Sequence, residues 1–553
     1  MHGTRFQPGR RRVLAASAGL SIAALAGCIG GTDEEDDPEV EDYQYDREEP
    51  DDEDAATGGS LTFLQSEERD DDYDPVHTFD SYSQQVVNLL FDSLYEWTDE
   101  LELEPHIATD FPEEERDGER WLFEIRDDAE FHNGDPVTAE DCTVMFTQTI
   151  EEESQLITQY DMVEDVEHID DHSFQVDLEH PFGPWEMMTM GVPAIPREHR
   201  EDVGPDEFNE DPVGCGPFQW ADYQPGEYVV VERWDDYWGE PMPYLEEIEF
   251  RHTPDDSSRI SQILAGDVDV IEEIPSGAWD EVDEADDVRL HIGESPSYMY
   301  LAFNCNEGET TDPDVRRAVA HSFSLRDFVE DEMGVTADPL VSPIPEITDE
   351  GGGWEFPMDE WEESMPDYDP DEAEALLDEA GVPDDWQPII LAPEGGSREA
   401  LAERIAVRLE EVGYGAHVNA VGFGTLAEQS RTGNADDYEM YLLGWTGGPD
   451  PDAYYYNLLH ESGEELTQGH FYEGQGEFHD LIEDARTSTD QDERREMYVD
   501  ITEEIIEYLP MLPTHTEHNT LAAGEHVRDL HVHPEVSTNP RFVSDYGNVW
   551  LDE

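Results

Sequence analysis

The chain contains no lysine. Its 27 basic side chains are all arginine and stand against 142 aspartates and glutamates, a formal net charge of −115 over 553 residues. No basic stripe exists to neutralise phosphates, so nucleic-acid binding is excluded as a function. Cysteine is scarce: Cys28, Cys142, Cys215 and Cys305, with no CxxC pair to suggest zinc. Setting Cys28 aside leaves an odd number, and the remaining three read as small buried residues rather than a disulfide framework. HExxH, GxSxG and GxxxxGK[ST] are all absent, which removes the commonest hydrolase and nucleotide-binding signatures. The longest apolar run, Val13 to Gly27, falls short of the about 20 residues that span a bilayer.

What the chain has is aromatic mass: 12 Trp, 23 Tyr and 21 Phe, enough for a packed core despite the charge. Its length is several times that of an average domain of about 150 residues, so two lobes are expected. Self-repulsion at this charge is tolerable where salt screens it, since the Debye length falls to about 3 Å at 1 M. The composition therefore reads as an adaptation to high salt. Under such screening the acidity says little about the ligand.

The N-terminus carries an address. Arg10-Arg11-Arg12-Val13-Leu14 ahead of the short apolar run reads as a twin-arginine export signal, with Arg10 and Arg11 as its core. Leu25-Ala26-Gly27-Cys28 is similar to a lipoprotein box, in which Cys28 takes the lipid. Residues 1–28 are thus expected to direct export and tethering at the extracellular face of the cell membrane. Residues 29–58 are dominated by Asp and Glu and read as a disordered acidic tether.

From Gly59 onward, strands and helices mix without a regular βα period. Leu61 to Leu64, Tyr228 to Glu232, Ile248 to Arg251, Tyr298 to Asn304, Ala416 to Val421 and Met440 to Leu443 read as strands. Thr138 with Asp141 predicts a capped helix from Ala139 to Glu151. Asp312-Pro313 and Asp369-Pro370 each place a cap and a first-turn proline before a helical apolar face, and Gly381 stops the second of these helices. Gly422-Phe423-Gly424-Thr425-Leu426-Ala427 matches GxGxxA but lacks a surrounding βαβ unit, so it reads as an ordinary strand-to-helix turn. The pairs His515/His518 and His531/His533 read as surface polar residues rather than as a metal site, and no cofactor is expected.

A series of segments then points one way. Leu89-Leu90-Phe91-Asp92-Ser93-Leu94-Tyr95 and Glu104-Pro105-His106-Ile107-Ala108 lead to Phe131-His132-Asn133-Gly134-Asp135-Pro136-Val137-Thr138-Ala139. Pro212-Val213-Gly214-Cys215-Gly216-Pro217-Phe218, Arg233 to Trp238, Asp314 to Ala318, and Gly444-Trp445 with Asp450-Pro451 follow in order. Over roughly residues 60 to 545 the chain resembles the peptide-type solute-binding proteins of ABC importers, the dipeptide and oligopeptide class known as family 5. The resemblance implies an α/β, two-lobed, periplasmic-binding-protein-like fold (class II, large peptide-binding type), with mixed sheets and a ligand cleft between the lobes. It places lobe I at 59–297, with 519–553 returning to it, and lobe II at 298–518, with crossovers near Glu294 to Met299 and Pro513 to Asn519. It implies capture of a peptide by lobe closure and no catalysis. Implied partners are a membrane permease and its ATPase subunits, and the protein is expected to be a monomer.

In peptide-binding relatives an aspartate three residues after the tryptophan takes the ligand's ammonium; here that position, counted from Trp445, is Gly448. Either Asp450 has taken over the role or the ligand has no amine there. The alternative is the same fold holding a chelated metal, an oligosaccharide or another polar metabolite; an exported hydrolase is the more distant one. The residues expected around the ligand are Trp445, Gly448, Asp450, Tyr454, Ser81 and Tyr82, with Asp80 beside them.

Overall fold

The computed structural model describes residues 40–45, 47–50, 57–189, 191–463 and 476–552. Arg10, Arg11 and Cys28, and with them the expected export signal and lipid anchor, lie outside the described residues. Among the described residues no helix is long and apolar enough to cross a membrane.

Two mixed sheets organise the fold. The chain builds the first from β1 (Ser60–Gln65), β2 (Phe218–Gln224), β3 (Tyr228–Arg233), β4 (Glu247–His252), β5 (Val270–Glu272) and β6 (Val288–Gly293). It then builds the second from β7 (Ser297–Phe303), β8 (Ile389–Pro393), β9 (His417–Val421), β10 (Met440–Thr446) and β11 (Met511–Pro513), and returns to the first with β12 (Asn519–Gly524). The spatial orders are β6-β12-β5-β1-β4-β3-β2 and β9-β8-β10-β7-β11. Only Glu294 to Pro296 separate β6 from β7, so the chain changes sheets abruptly there. A four-stranded sheet of Glu113–Glu115, Arg120–Glu124, Val163–Asp170 and Ser173–Leu178 extends the first lobe.

Alternating apolar residues explain the central strands. Leu61 and Phe63 of β1 and Ile248 and Phe250 of β4 are fully buried, with Phe63 opposite Phe250 in a parallel register and the two rings edge to face. β7 and β10 pair antiparallel from Ser297 opposite Thr446 to Phe303 opposite Met440. Separate apolar clusters fill the two lobes: one surrounds Phe63, Trp121 and Trp185, and others surround Leu301, Ile405 and Leu442, and Tyr298, Trp354 and Tyr498.

The helix caps form as the sequence predicts. Asp312 accepts from the Asp314 amide with Pro313 in the first turn, and Asp369 accepts from the Glu372 amide with the helix ending at left-handed Gly381. The helix expected over Ala139 to Glu151 differs at its start. Asp141 accepts from both the amide and the hydroxyl of Thr138, a 3-10 turn follows over Asp141–Thr143, and α-helix runs only over Val144–Glu151.

The family-like segments are scaffold. His132 accepts the Gly214 amide on Nδ1 (3.1 Å) and places Nε2 3.0 Å from the Gly216 carbonyl, tying two of those segments together. A Cβ at Gly214 would lie 1.8 Å from the Leu90 carbonyl oxygen, so only glycine permits that approach. Arg316 is fully buried and donates to the Thr310 and Tyr508 carbonyls at 2.7 and 2.6 Å.

Two expectations are corrected. The acidic segment is not a free tether over the whole of 29–58: Tyr43 buries against Trp279, Tyr45 packs on His291, and Glu48 pairs with Arg289 at 2.8 Å. The two tyrosines supply the apolar contacts that the flanking acids lack. His515 and His533 are not surface residues but fully buried, as His518 nearly is. Cys142, Cys215 and Cys305 are free thiols, the first two buried and Cys305 partly so.

Candidate functional site

The second sheet presents β10 at the lobe boundary, with Trp445 opposite Tyr298 of β7. Trp445 is half-buried and donates from Nε1 to the Ala453 carbonyl at 2.9 Å, which fixes its ring. Beyond it the loop passes through Gly447 and Gly448 into a helix, α1 (Asp452–Leu459). A Cβ at Gly447 would lie 2.3 Å from the Tyr454 ring, so the loop folds back onto that tyrosine only because no side chain intervenes.

Asp450 is engaged by an arginine of its own lobe. Its carboxylate is buried and accepts two hydrogen bonds from Arg494, at 2.8 and 2.7 Å, while Oδ1 also accepts the Asp452 amide at 2.9 Å. The neighbouring Asp452 pairs with Arg486 at 2.6 Å. The charge an ammonium would need is already matched by an arginine of the same lobe. Tyr454 is also core: it is fully buried, donates to the Pro296 carbonyl at 2.8 Å and shares a 2.9 Å hydrogen bond with Thr348.

On the first lobe, Asp80 caps the helix that starts at Ser81 by accepting the Ser83 amide. Tyr82 donates to Glu273 at 3.0 Å and accepts from Ser66 at 3.1 Å. Glu272 lies behind, accepting from the Ser66 amide and from Gln85. Burial and the neighbouring Glu273 charge push the Glu272 carboxyl up. Ser81 and Tyr82 are both half-buried.

Two charged groups at this boundary escaped the sequence reading. Arg398, near the start of the helix Gly396–Glu411, lies with Nη1 3.6 Å from where a Gly444 Cβ would sit. Among the described residues it makes no hydrogen bond and no ion pair, whereas the other arginines there are engaged by carboxylates, carbonyls or neighbouring groups. Its field reaches Glu517: burial opposes ionisation there, but His515, Ser397 and Arg398 hold that carboxyl down to about 2. The second group is Glu535, which comes from the returning C-terminal segment and places Oε1 3.9 Å from where a Gly448 Cβ would sit. Among the described residues its carboxylate has no hydrogen-bond or ion-pair partner, and burial pushes it up to about 7. An arginine and a glutamate without partners therefore flank the stretch from Gly444 to Gly448. No short-range motif marks either residue; each is brought in by packing.

The lobes also touch. The Gly183 amide donates to the Arg486 carbonyl at 2.8 Å, the Arg486 guanidinium lies 4.8 Å from the Phe182 ring centre, and Thr489 lies 3.3 Å from the Glu114 carboxylate.

Two lobes on separate mixed sheets, joined by short crossings and enclosing polar groups at their boundary, define a binding protein of the two-lobed periplasmic type. The sequence profile of bacterial extracellular solute-binding proteins, family 5 Middle, matches residues 102–465, and the chain belongs to that family. The oligopeptide-binding protein AppA of Bacillus subtilis is 24% identical over 489 residues, covering 84% of this chain and 87% of AppA. The Helicobacter pylori binding protein DppA, solved with the peptide STSA, superposes with a TM-score of 0.72 at 21% identity over 91% of this chain and 99% of its own. NikZ of Campylobacter jejuni, solved with Ni(L-His), superposes with a TM-score of 0.73 at 18% identity over 89% of this chain and 99% of its own.

Proposed function

We propose that this protein captures short peptides with free termini between its lobes and passes them to a membrane permease driven by ATPase subunits. The observation that carries the reading is the pair of partnerless opposite charges, Arg398 beside Gly444 and Glu535 beside Gly448. A peptide is a zwitterion whose ends need one cation and one anion. Gly448 is four positions beyond Gly444, at most about 13 Å away at about 3.3 Å per residue. That span fits an extended ligand of about two to four residues. Glu535 would take the ammonium, Arg398 the carboxylate, and Trp445 would wall the space between them.

The reading takes lobe I as 59–297 with 519–553 and lobe II as 298–518, and the return of β12 to the first sheet after β11 ends the second supports that division. Ligand contacts to both lobes would favour the closed arrangement, so binding and closure are one equilibrium. We further propose export by the Arg10-Arg11 signal, lipid attachment at Cys28 and a working environment of high salt, all carried by the sequence features above. The protein acts as a binder and not as a catalyst in this reading.

The test is isothermal titration, in several molar KCl, of a tripeptide and its N-acetylated and C-amidated forms. Both blocked forms should bind at least tenfold more weakly, the acetylated form losing its penalty in Glu535→Gln and the amidated form in Arg398→Gln. Equal binding of all three forms would sink the peptide reading and favour the alternative of a chelated metal or other polar solute.

A further inference from the structure

Residues 98–102 close a small antiparallel ribbon of the first lobe, Tyr95–Trp97 against Leu103–Pro105. The Thr98 amide donates to the Glu102 carbonyl at 2.8 Å and the Leu101 amide to the Thr98 carbonyl at 3.1 Å. The Thr98 hydroxyl accepts the amides of Glu100 and Glu102 at 3.2 and 3.0 Å. A three-residue hairpin loop commonly ends on a left-handed residue, a place that suits glycine. Here that place is taken by Leu101, with φ at 55°. A bulky side chain is held there against its backbone preference, and such strain persists only where the surroundings fix it.

What fixes it lies in the other lobe. Leu101 is fully buried although it stands at a hairpin tip, and it joins none of the apolar clusters formed by the described residues. Across from it is Gly351, near the end of the helix Glu346–Gly352. A Cβ at Gly351 would lie 2.7 Å from Leu101 Cβ and 2.7 Å from the Glu100 carbonyl oxygen, so the tip seats in a notch that exists only because that helix residue has no side chain. Beside the contact, a cavity of about 220 Å³ is lined by Asp99, Glu100 and Glu102 of the tip, Glu294 of the crossing between the sheets, and Ile347 and Glu350 of the helix. Carboxylates from both sides face this cavity and repel, so the attraction between these surfaces has to come from the apolar tip.

The helix that bears the notch also holds the loop after Trp445. Thr348 donates to the Gly448 carbonyl at 3.0 Å and shares its 2.9 Å hydrogen bond with Tyr454, and Trp354, just past the helix, donates to the Pro449 carbonyl at 2.9 Å. The tip of the first lobe therefore bears on the same few residues that flank the proposed ligand. We propose that Leu101 is a latch: seated in the Gly351 notch, it holds the two lobes closed in the ligand-free protein and raises ligand affinity by keeping the binding-competent arrangement populated. The inference rests on the lobe division of the proposed function and not on the ligand named there.

The experiment compares the mature chain with Leu101→Gly, Gly351→Ala and the double variant in several molar KCl. Glycine suits the left-handed position and alanine suits a helix, so both single variants should keep the thermal midpoint of the unsubstituted protein. Small-angle scattering without ligand should give the unsubstituted protein the radius of gyration of the structure and each variant a larger one. Calorimetry should show the tripeptide bound at least fivefold more weakly by each single variant. The double variant should bind no worse than the weaker single one, because both changes remove one contact. Equal radii in the ligand-free protein and its variants overturn the latch. So does a fall in the thermal midpoint of Leu101→Gly at unchanged radius, which would make Leu101 a core residue of its own lobe. Scattering needs no ligand, so failure of the unsubstituted protein to bind the tripeptide would sink the peptide reading while the radii still decide the latch.

Discussion

Asp450 and Arg494 meet in a two-point ion pair, 2.7 and 2.8 Å long, that holds the loop after Trp445 to the helix Gln491–Tyr508. Both side chains are at most 5% exposed, and Arg494 also donates to the Tyr498 hydroxyl at 2.9 Å. The loop that would carry an amine-binding aspartate thus has its first acid committed to the framework.

Asp450→Asn should therefore act on stability and not on ligand choice. Removing one partner of a buried pair leaves the other charge unmatched, a loss of about 3–5 kcal/mol. Denaturant unfolding in high salt should show that loss, while the folded variant keeps its tripeptide affinity. A large loss of affinity at unchanged stability would return Asp450 to the ligand.

Glu535 should make peptide binding depend on pH. Its carboxyl titrates at about 7 in the ligand-free fold against an ordinary 4.5. Between those values the folded protein holds a proton that the unfolded chain has released, so stability relative to Glu535→Gln should fall as pH rises from 4.5 to 7 and level off above. An ammonium ligand prefers the ionised carboxylate, so affinity should move the opposite way, rising by at most about tenfold per unit up to pH 7 and flat beyond. Titration calorimetry from pH 5 to 8 on both proteins would expose a flat wild-type profile, which this account does not permit.

Gly183 should govern closure. A Cβ there would lie 2.1 Å from the Ser488 carbonyl oxygen and 2.7 Å from Arg494 Nε, and backbone cannot yield as a flexible side chain can. Gly183→Ala should fold normally, bind peptide more weakly and keep a larger radius of gyration in small-angle scattering when ligand is present. Scattering identical to wild type with ligand bound would show that closure does not bring these segments together.

Local order was written in the sequence. Asp312-Pro313, Asp369-Pro370 and Gly381 act on their own backbone within a few residues, so caps and stops could be read without the fold. Alternating apolar residues marked β1, β4, β7 and β10 for the same reason. The family-like segments were equally legible, because glycines such as Gly214 permit contacts that no other residue could make.

The site was less legible, because its properties depend on partners far away in the chain. Whether Asp450 is a ligand or a strut depends on Arg494, and the acid near Gly448 is Glu535 of the returning segment. Tyr43 and Tyr45 lie in an acidic run, and it is Trp279 and His291, far along the chain, that receive them. The sequence by itself determined the elements, the family and the charge of the surface, all of which follow from neighbouring residues or from composition. Only the tertiary structure decided which charges were neutralised and which were left facing the boundary between the lobes, since a charged group's role is set by the burial and the partners that packing gives it.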